Sequence, residues 1–244
     1  MSVFFYFCIM TVTNIKKPIV LTVLFFLPVL FLLFLYPSKH NYEPLDIVKE
    51  NIPELKEFKT FNGNPIALED RLSVVGFFGE TPMEDTTLAL NLKELIYDKF
   101  FGFKRFQVLI LLPLSAEAQA RDLQKDLNAF APLDYWTFAF GSEAAVKQAY
   151  TNFKIAKPLD DALASSDVFV VDRERNQRGR LDDRNETEIE TNSTIYGLPS
   201  YDVLEVSVLK NKMSDDMRIL FTEYRQKRKG NFNSTARRAQ DLKQ

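Results

Sequence analysis

Between Ile19 and Tyr36 the chain carries no charged residue. As a helix rising about 1.5 Å per residue, such a run spans roughly 27 Å, close to the ~30 Å hydrocarbon core of a bilayer. It therefore divides the chain into a segment suited to lipid and a remainder that has to fold in water. Pro28 in its middle is tolerated where neighbouring groups satisfy the freed carbonyl, and Tyr36 stands where an interfacial aromatic belongs. A cleaved leader is the competing reading, but the run exceeds a usual leader core, and "LYPSKH" offers neither a small-x-small cleavage site nor a lipidated cysteine. The sequence thus predicts a transmembrane helix at 19–36, preceded by an N-terminal segment 1–18. A tether 37–55, a globular domain 56–229 and a mobile polar tail 230–244 follow. Lys16 and Lys17 precede the run, and Lys39 with Glu43 and Asp46 follows it, so the positive-inside bias places the domain on the extracytoplasmic side.

Composition excludes several functions. The 244 residues, 46% of them hydrophobic, suffice for one globular domain with extra segments. With 31 basic and 33 acidic residues there is no overall basic field to hold a phosphate backbone, and nucleic acid is not an expected partner. Cys8 and His40 are the sole cysteine and histidine, and both precede the predicted domain. No intramolecular disulfide can form, and the usual Cys/His zinc or copper sites cannot be assembled.

Patterning within the domain alternates between strands and helices. "KEFKTFNGNPIALED" gives two short arms around Asn62-Gly63, a hairpin signal. "SVVGFF" reads as a buried strand, and Leu88, Leu92, Leu95 and Ile96 then recur at helical spacing. "FQVLILL" is a second buried strand, followed by a helix marked by Ala118, Leu123 and Leu127. "WTFAF" is a third strand, with Trp136 read as core packing, and Ser142 caps the helix "EAAVKQAY". "DVFVVDRERNQRGRL" forms a strand, a polar turn and a returning strand. "YDVLEVSVLKNKM" is another strand candidate, and Ser214 is expected to cap a final helix before the solvated basic run "YRQKRKGNFNSTARR". The expected class is α/β, a thioredoxin-like sandwich with a mixed central sheet.

From about Phe58 to Leu181 the chain resembles the Sco family of membrane-anchored thioredoxin-like proteins, which take part in copper delivery to cytochrome c oxidase. "NGNPIALED" resembles the family's opening hairpin, "VVGFFGETP" its strand into the active turn, and "VLILLPLSAEAQARDLQKDL" its second strand and helix. "WTFAFGSEAAVKQAY" and "DVFVVDRERNQRGRL" carry the most specific likeness. The single-anchor arrangement agrees with it.

The resemblance also implies a site, and this chain lacks its chemistry. Where the family has a C-P-x-x-C turn the sequence reads "TPMED", so Thr81 and Asp85 take the two cysteine positions and Pro82 is kept. Alignment on "VFVVD" puts Ala164 at the position of the family's histidine ligand. Soft Cu(I) needs thiolate or imidazole, and thiol exchange needs a thiolate, so copper binding, a cofactor and redox catalysis are not expected. The reading that follows is a membrane-tethered, non-catalytic module that binds a protein partner, an assembly factor by analogy with the family. Its candidate interaction residues are Glu80, Pro82 and Glu84 at the turn and Arg173, Arg175 and Arg178 around the later hairpin tip. The alternative is a metal-binding or enzymatic domain using the acidic turn Glu80, Glu84 and Asp85 with a hard cation such as Ca²⁺ or Mg²⁺. A third reading leaves the fold as a spacer for its anchor.

Overall fold

The computed structural model of the protein describes residues 3–35, 44–84, 86–129 and 131–229. Two compact units divide the chain, residues 1–42 and 43–244. The first contains helix α1 (Val3–Leu35), with Pro18 and Pro28 inside it. Its Lys17–Phe34 stretch is long and apolar enough to cross a membrane, and none of it is buried within the chain. The helix begins well before the uncharged run because residues 3–17 contain neither glycine nor proline to stop it. The expected separate segment 1–18 is therefore largely part of the same helix.

In the second unit eight strands form one sheet: β1 (Asp46–Lys49), β2 (Lys59–Thr60), β3 (Leu72–Phe77), β4 (Phe106–Pro113), β5 (Trp136–Gly141), β6 (Asp167–Val171), β7 (Gln177–Gly179) and β8 (Tyr201–Asp202). Their order is β1-β7-β6-β3-β4-β5-β2, with β8 beside β6. β3, β4 and β5 are parallel, in register Val74↔Val108 and Ile110↔Phe138, while β6, β7 and β1 add antiparallel to one side. This is the mixed, thioredoxin-like sandwich the alternating pattern predicts.

Every residue of β3 and β4 is buried, as expected of strands covered on both faces. Val74, Val108, Ile110 and Phe138 pack on one side with α2 (Thr86–Leu92), α3 (Asp98–Phe100), α4 (Glu117–Asn128) and α7 (Ser214–Arg228). Val75, Phe77, Leu109 and Leu111 pack on the other with α5 (Glu143–Thr151). Alternation along a strand thus sends successive side chains into two cores. α2 runs into α3 through a widened, π-helical turn at Lys93–Tyr97, so Thr86 to Phe100 is one continuous helical stretch. The Ser142 cap forms as expected, its hydroxyl accepting from the Ala145 amide at 3.1 Å.

Several local expectations change. Ala118 is exposed, and the core face of α4 is Ala120, Leu123 and Leu127, the spacing that holds one helical face inward. The strand expected from Tyr201 to Met213 stops after Asp202. There Asp202 Oδ1 accepts from the Leu204 amide and turns the chain, and Val208–Met213 is already helical. Ser214 therefore lies inside a helix, fully buried, and caps nothing. A short helix α6 (Glu186–Glu190) lies in the polar sequence between β7 and β8, opened by a capping box between Asn185 and Glu188. The expected tether 37–55 is also divided. β1 is part of the sheet, and Leu45, Ile52 and Leu55 are buried in the domain.

The C-terminal helix is held to β7 by charge. Arg178, 1% exposed, donates to Asp172 at 3.1 Å, Glu223 at 2.9 Å and the Leu45 carbonyl at 2.6 Å. Arg180 forks onto Asp216 at 2.8 Å, and the same carboxylate accepts from the Tyr201 hydroxyl at 2.8 Å. Burial disfavours the Arg178 cation, but Glu223 and Asp172 outweigh it and raise its pKa.

Candidate functional site

At the end of β3 the backbone makes a tight turn, and its glycine is required by the chain on the other side. Gly79 has φ +70°, and a Cβ there would lie 2.5 Å from the Ala162 carbonyl and 2.8 Å from Ala164 Cβ. On either side of that contact, Phe78 bridges to Ala164 and the Glu80 amide donates to the Ala162 carbonyl at 2.8 Å. The opposing loop is fixed by Asp160, whose side chain accepts from the Ala164 amide at 2.6 Å while its own amide donates to the Ala164 carbonyl at 3.0 Å. Leu163 accordingly takes φ 62° and buries its side chain. Ser165 closes the arrangement, its amide donating to the Phe77 carbonyl at 2.8 Å and its hydroxyl lying 3.2 Å from that of Tyr150.

The turn and the loop enclose a groove of about 620 Å³, lined by Thr81, Pro82, Glu84, Ala164 and Ser166 among others. Its size is that of a site for a small molecule or a few residues of peptide. Folding thus brings Thr81 and Ala164, 83 positions apart in sequence, to one cavity, as the resemblance implies. Neither supplies a thiolate or an imidazole. Pro82 is buried, Glu80 is half-buried and Glu84 is exposed. Asp85 lies outside the described residues. Among those that are described, no group of three potential His, Cys, Asp or Glu ligands converges.

One cation at the groove's rim, Lys157, is paired. Lys157 binds Asp202 at 2.7 Å. The hydrogen bond to that carboxylate raises the lysine. Burial pushes Asp202 up, but Lys157 and the Leu204 amide outweigh this and hold it below the ordinary carboxylate range. Asp167, behind them, is raised by burial despite accepting from the Ser200 hydroxyl at 3.1 Å.

The hairpin arginines separate from the turn and from one another. Arg178 is buried in the ion network, so it cannot serve as the exposed contact its place in "DRERNQRGR" suggests. Arg175 occupies the tight turn at φ 64°. Arg173 lines a second cavity at the opposite end of β3. That cavity also holds Lys104, Arg225 and Arg228. Sequence reading treated the last two as part of a solvated run, because nothing local relates residue 104 to residues 225 and 228.

No family model matches the chain, and no curated protein matches it. Solved structures resemble it at low identity. BsSco, a member of the Sco family of cytochrome c oxidase assembly proteins, is 13% identical, with 72% of this chain and 97% of that one covered and a TM-score of 0.47. The apo Sco1 protein from Thermus thermophilus is 19% identical, with 75% and 95% covered and a TM-score of 0.41. A peroxiredoxin-like protein from Aquifex aeolicus is 17% identical, with 56% and 75% covered and a TM-score of 0.38.

Proposed function

We propose that the protein is a membrane-tethered, non-catalytic thioredoxin-like module that binds a partner polypeptide at the turn groove. The observation that carries this reading is a built groove whose lining presents no thiolate or imidazole. Gly79 and Asp160 hold the turn and the opposing loop together around it, Leu163 is kept in a left-handed conformation, and Thr81 and Ala164 present a hydroxyl and a methyl group. Strained backbone persists where the surroundings over-determine it, typically at functional sites. The length and apolarity of α1 support a membrane anchor, and the flanking lysines support an extracytoplasmic domain. An assembly role comes from the family resemblance alone. Among the described residues no three potential ligands converge at the acidic turn, and Glu84 is exposed.

The test is site-specific photo-crosslinking of the full chain in its native membrane. A probe at Ser166, on the groove wall, is expected to capture one discrete protein, and Ala164→Trp, which fills the groove, should abolish capture. Capture that persists after filling, or none, removes the groove as a binding site. Cu(I) titration of the same chain is expected to give no stoichiometric binding at the domain; tight binding lost in a Thr81 or Glu84 variant would restore a metal function to the turn.

A further inference from the structure

At the far end of β3, roughly 20 Å from the turn groove at 3.3 Å per residue, lies a groove of about 740 Å³ between the turn preceding β4 and the last turns of α7. Six of its lining residues are cations, Lys104, Arg105, Arg173, Arg225, Lys227 and Arg228, against the single carboxylate of Glu174. Its walls are aromatic. Phe103 stacks on Phe221 at 4.2 Å, and Arg173 and Lys227 lie over the Tyr224 ring at 5.3 and 5.6 Å.

Internal pairing accounts for half of these cations. Arg105 and Arg173 share Asp70, and Lys227 binds Glu223 at 2.8 Å. Lys104, Arg225 and Arg228 have no ion-pair partner among the described residues, and all three are exposed. The dipole of α7 favours cations in its last turn, which covers Arg225 and Arg228. It does not account for Lys104 and Arg173, which come from two other elements. Nor does the chain carry an obvious counter-charge in the sequence that follows. Residues 230–244 hold Arg237, Arg238 and Lys243 against Asp241, the same sign as the groove. In a molecule of formal charge −2, this is a local concentration of positive field.

We infer that this groove binds an acidic, extended polypeptide segment of a partner protein. Charge complementarity calls for several carboxylates in a row, and the concave shape admits a chain between its walls where a flat bilayer would reach only the rim. The aromatic floor offers Phe103, 37% exposed, to an apolar side chain of the same segment. The inference is independent of the turn groove, because the two cavities share no lining residue.

Fluorescence anisotropy with dye-labelled hexaglutamate tests it, using the full chain in nanodiscs of zwitterionic lipid. Saturable binding is expected, weakening steeply between about 50 and about 300 mM salt. Lys104→Glu with Arg225→Glu should weaken it about tenfold or more with the folded circular dichroism spectrum retained, and Ala164→Trp at the other groove should leave it intact. Binding that ignores the charge reversals overturns the inference, as does absence of saturation. Stronger retention on anionic phosphatidylglycerol vesicles than on the peptide, lost in the same double variant, also overturns it by making the groove a lipid site.

Discussion

Arg178 sits 1% exposed between Asp172 and Glu223, and all three side chains are withdrawn from water. Removing the cation leaves the buried Asp172 carboxylate without a charge partner and Glu223 with Lys227 alone, so Arg178→Met is expected to cost about 3–5 kcal/mol in urea unfolding. The triple variant Arg178→Met, Asp172→Asn, Glu223→Gln should be more stable than the single one, because no unpaired buried charge remains. Gly79 makes the second test at this scale. Its positive φ and the 2.5 Å approach of the Ala162 carbonyl leave no room for a methyl group, and Gly79→Ala should lower stability by about 1–3 kcal/mol, read from the same unfolding midpoint. The glycine stands in a turn the sequence did single out. Arg178 is different: a hairpin tip rich in arginine reads as solvated, and only the arrival of α7 and the Leu45 carbonyl makes one of its members a core residue.

Among elements, the short strand β8 lies beside two carboxylates whose titrations have opposite signs. Asp202 is lowered by Lys157, so its contribution is present above its unfolded pKa and is lost as pH falls through the lower folded value. Asp167 is raised by burial, so its contribution is complete below its unfolded value and is lost as pH rises through the folded one. Asp202→Asn should therefore cost more stability at pH 7 than in acid, and Asp167→Asn less, as read from unfolding midpoints at the two pH values. Helix α5 was fully legible in sequence, since its cap and its buried face are local features. Ser142→Ala should cost about 1 kcal/mol. The start of α7 was not legible. Leu204, Val206 and Val208 alternate as in a strand, but Asp202 turns the chain before them, Leu204 and Val206 are exposed, and the chain is already helical at Val208.

For the whole molecule, the position at which the domain begins can be measured. Leu45, Ile52 and Leu55 each bury a side chain worth about 1.5–3 kcal/mol, a sum comparable with the ~5–15 kcal/mol stability of a typical domain. A chain starting at residue 43 is expected to unfold cooperatively by circular dichroism, and one starting at residue 56 to lose that cooperativity. Charge is also arranged at this scale. An overall balance of −2 conceals a groove lined by six cations at one end of the sheet and a groove with no thiolate or imidazole at the other.

The sequence by itself determined the apolar helix, the alternation of buried strands with helices, the turn after β3 and its want of cysteine and histidine. Each of these is written in neighbouring residues: an uncharged run, a period, a cap, a missing cysteine. Tertiary structure alone decided that Leu45 belongs to the core, that Arg178 is buried, and that Lys104 meets Arg225 across a groove. Those outcomes depend on which distant segments the sheet order brings together, and no local pattern encodes the desolvation or the field that results.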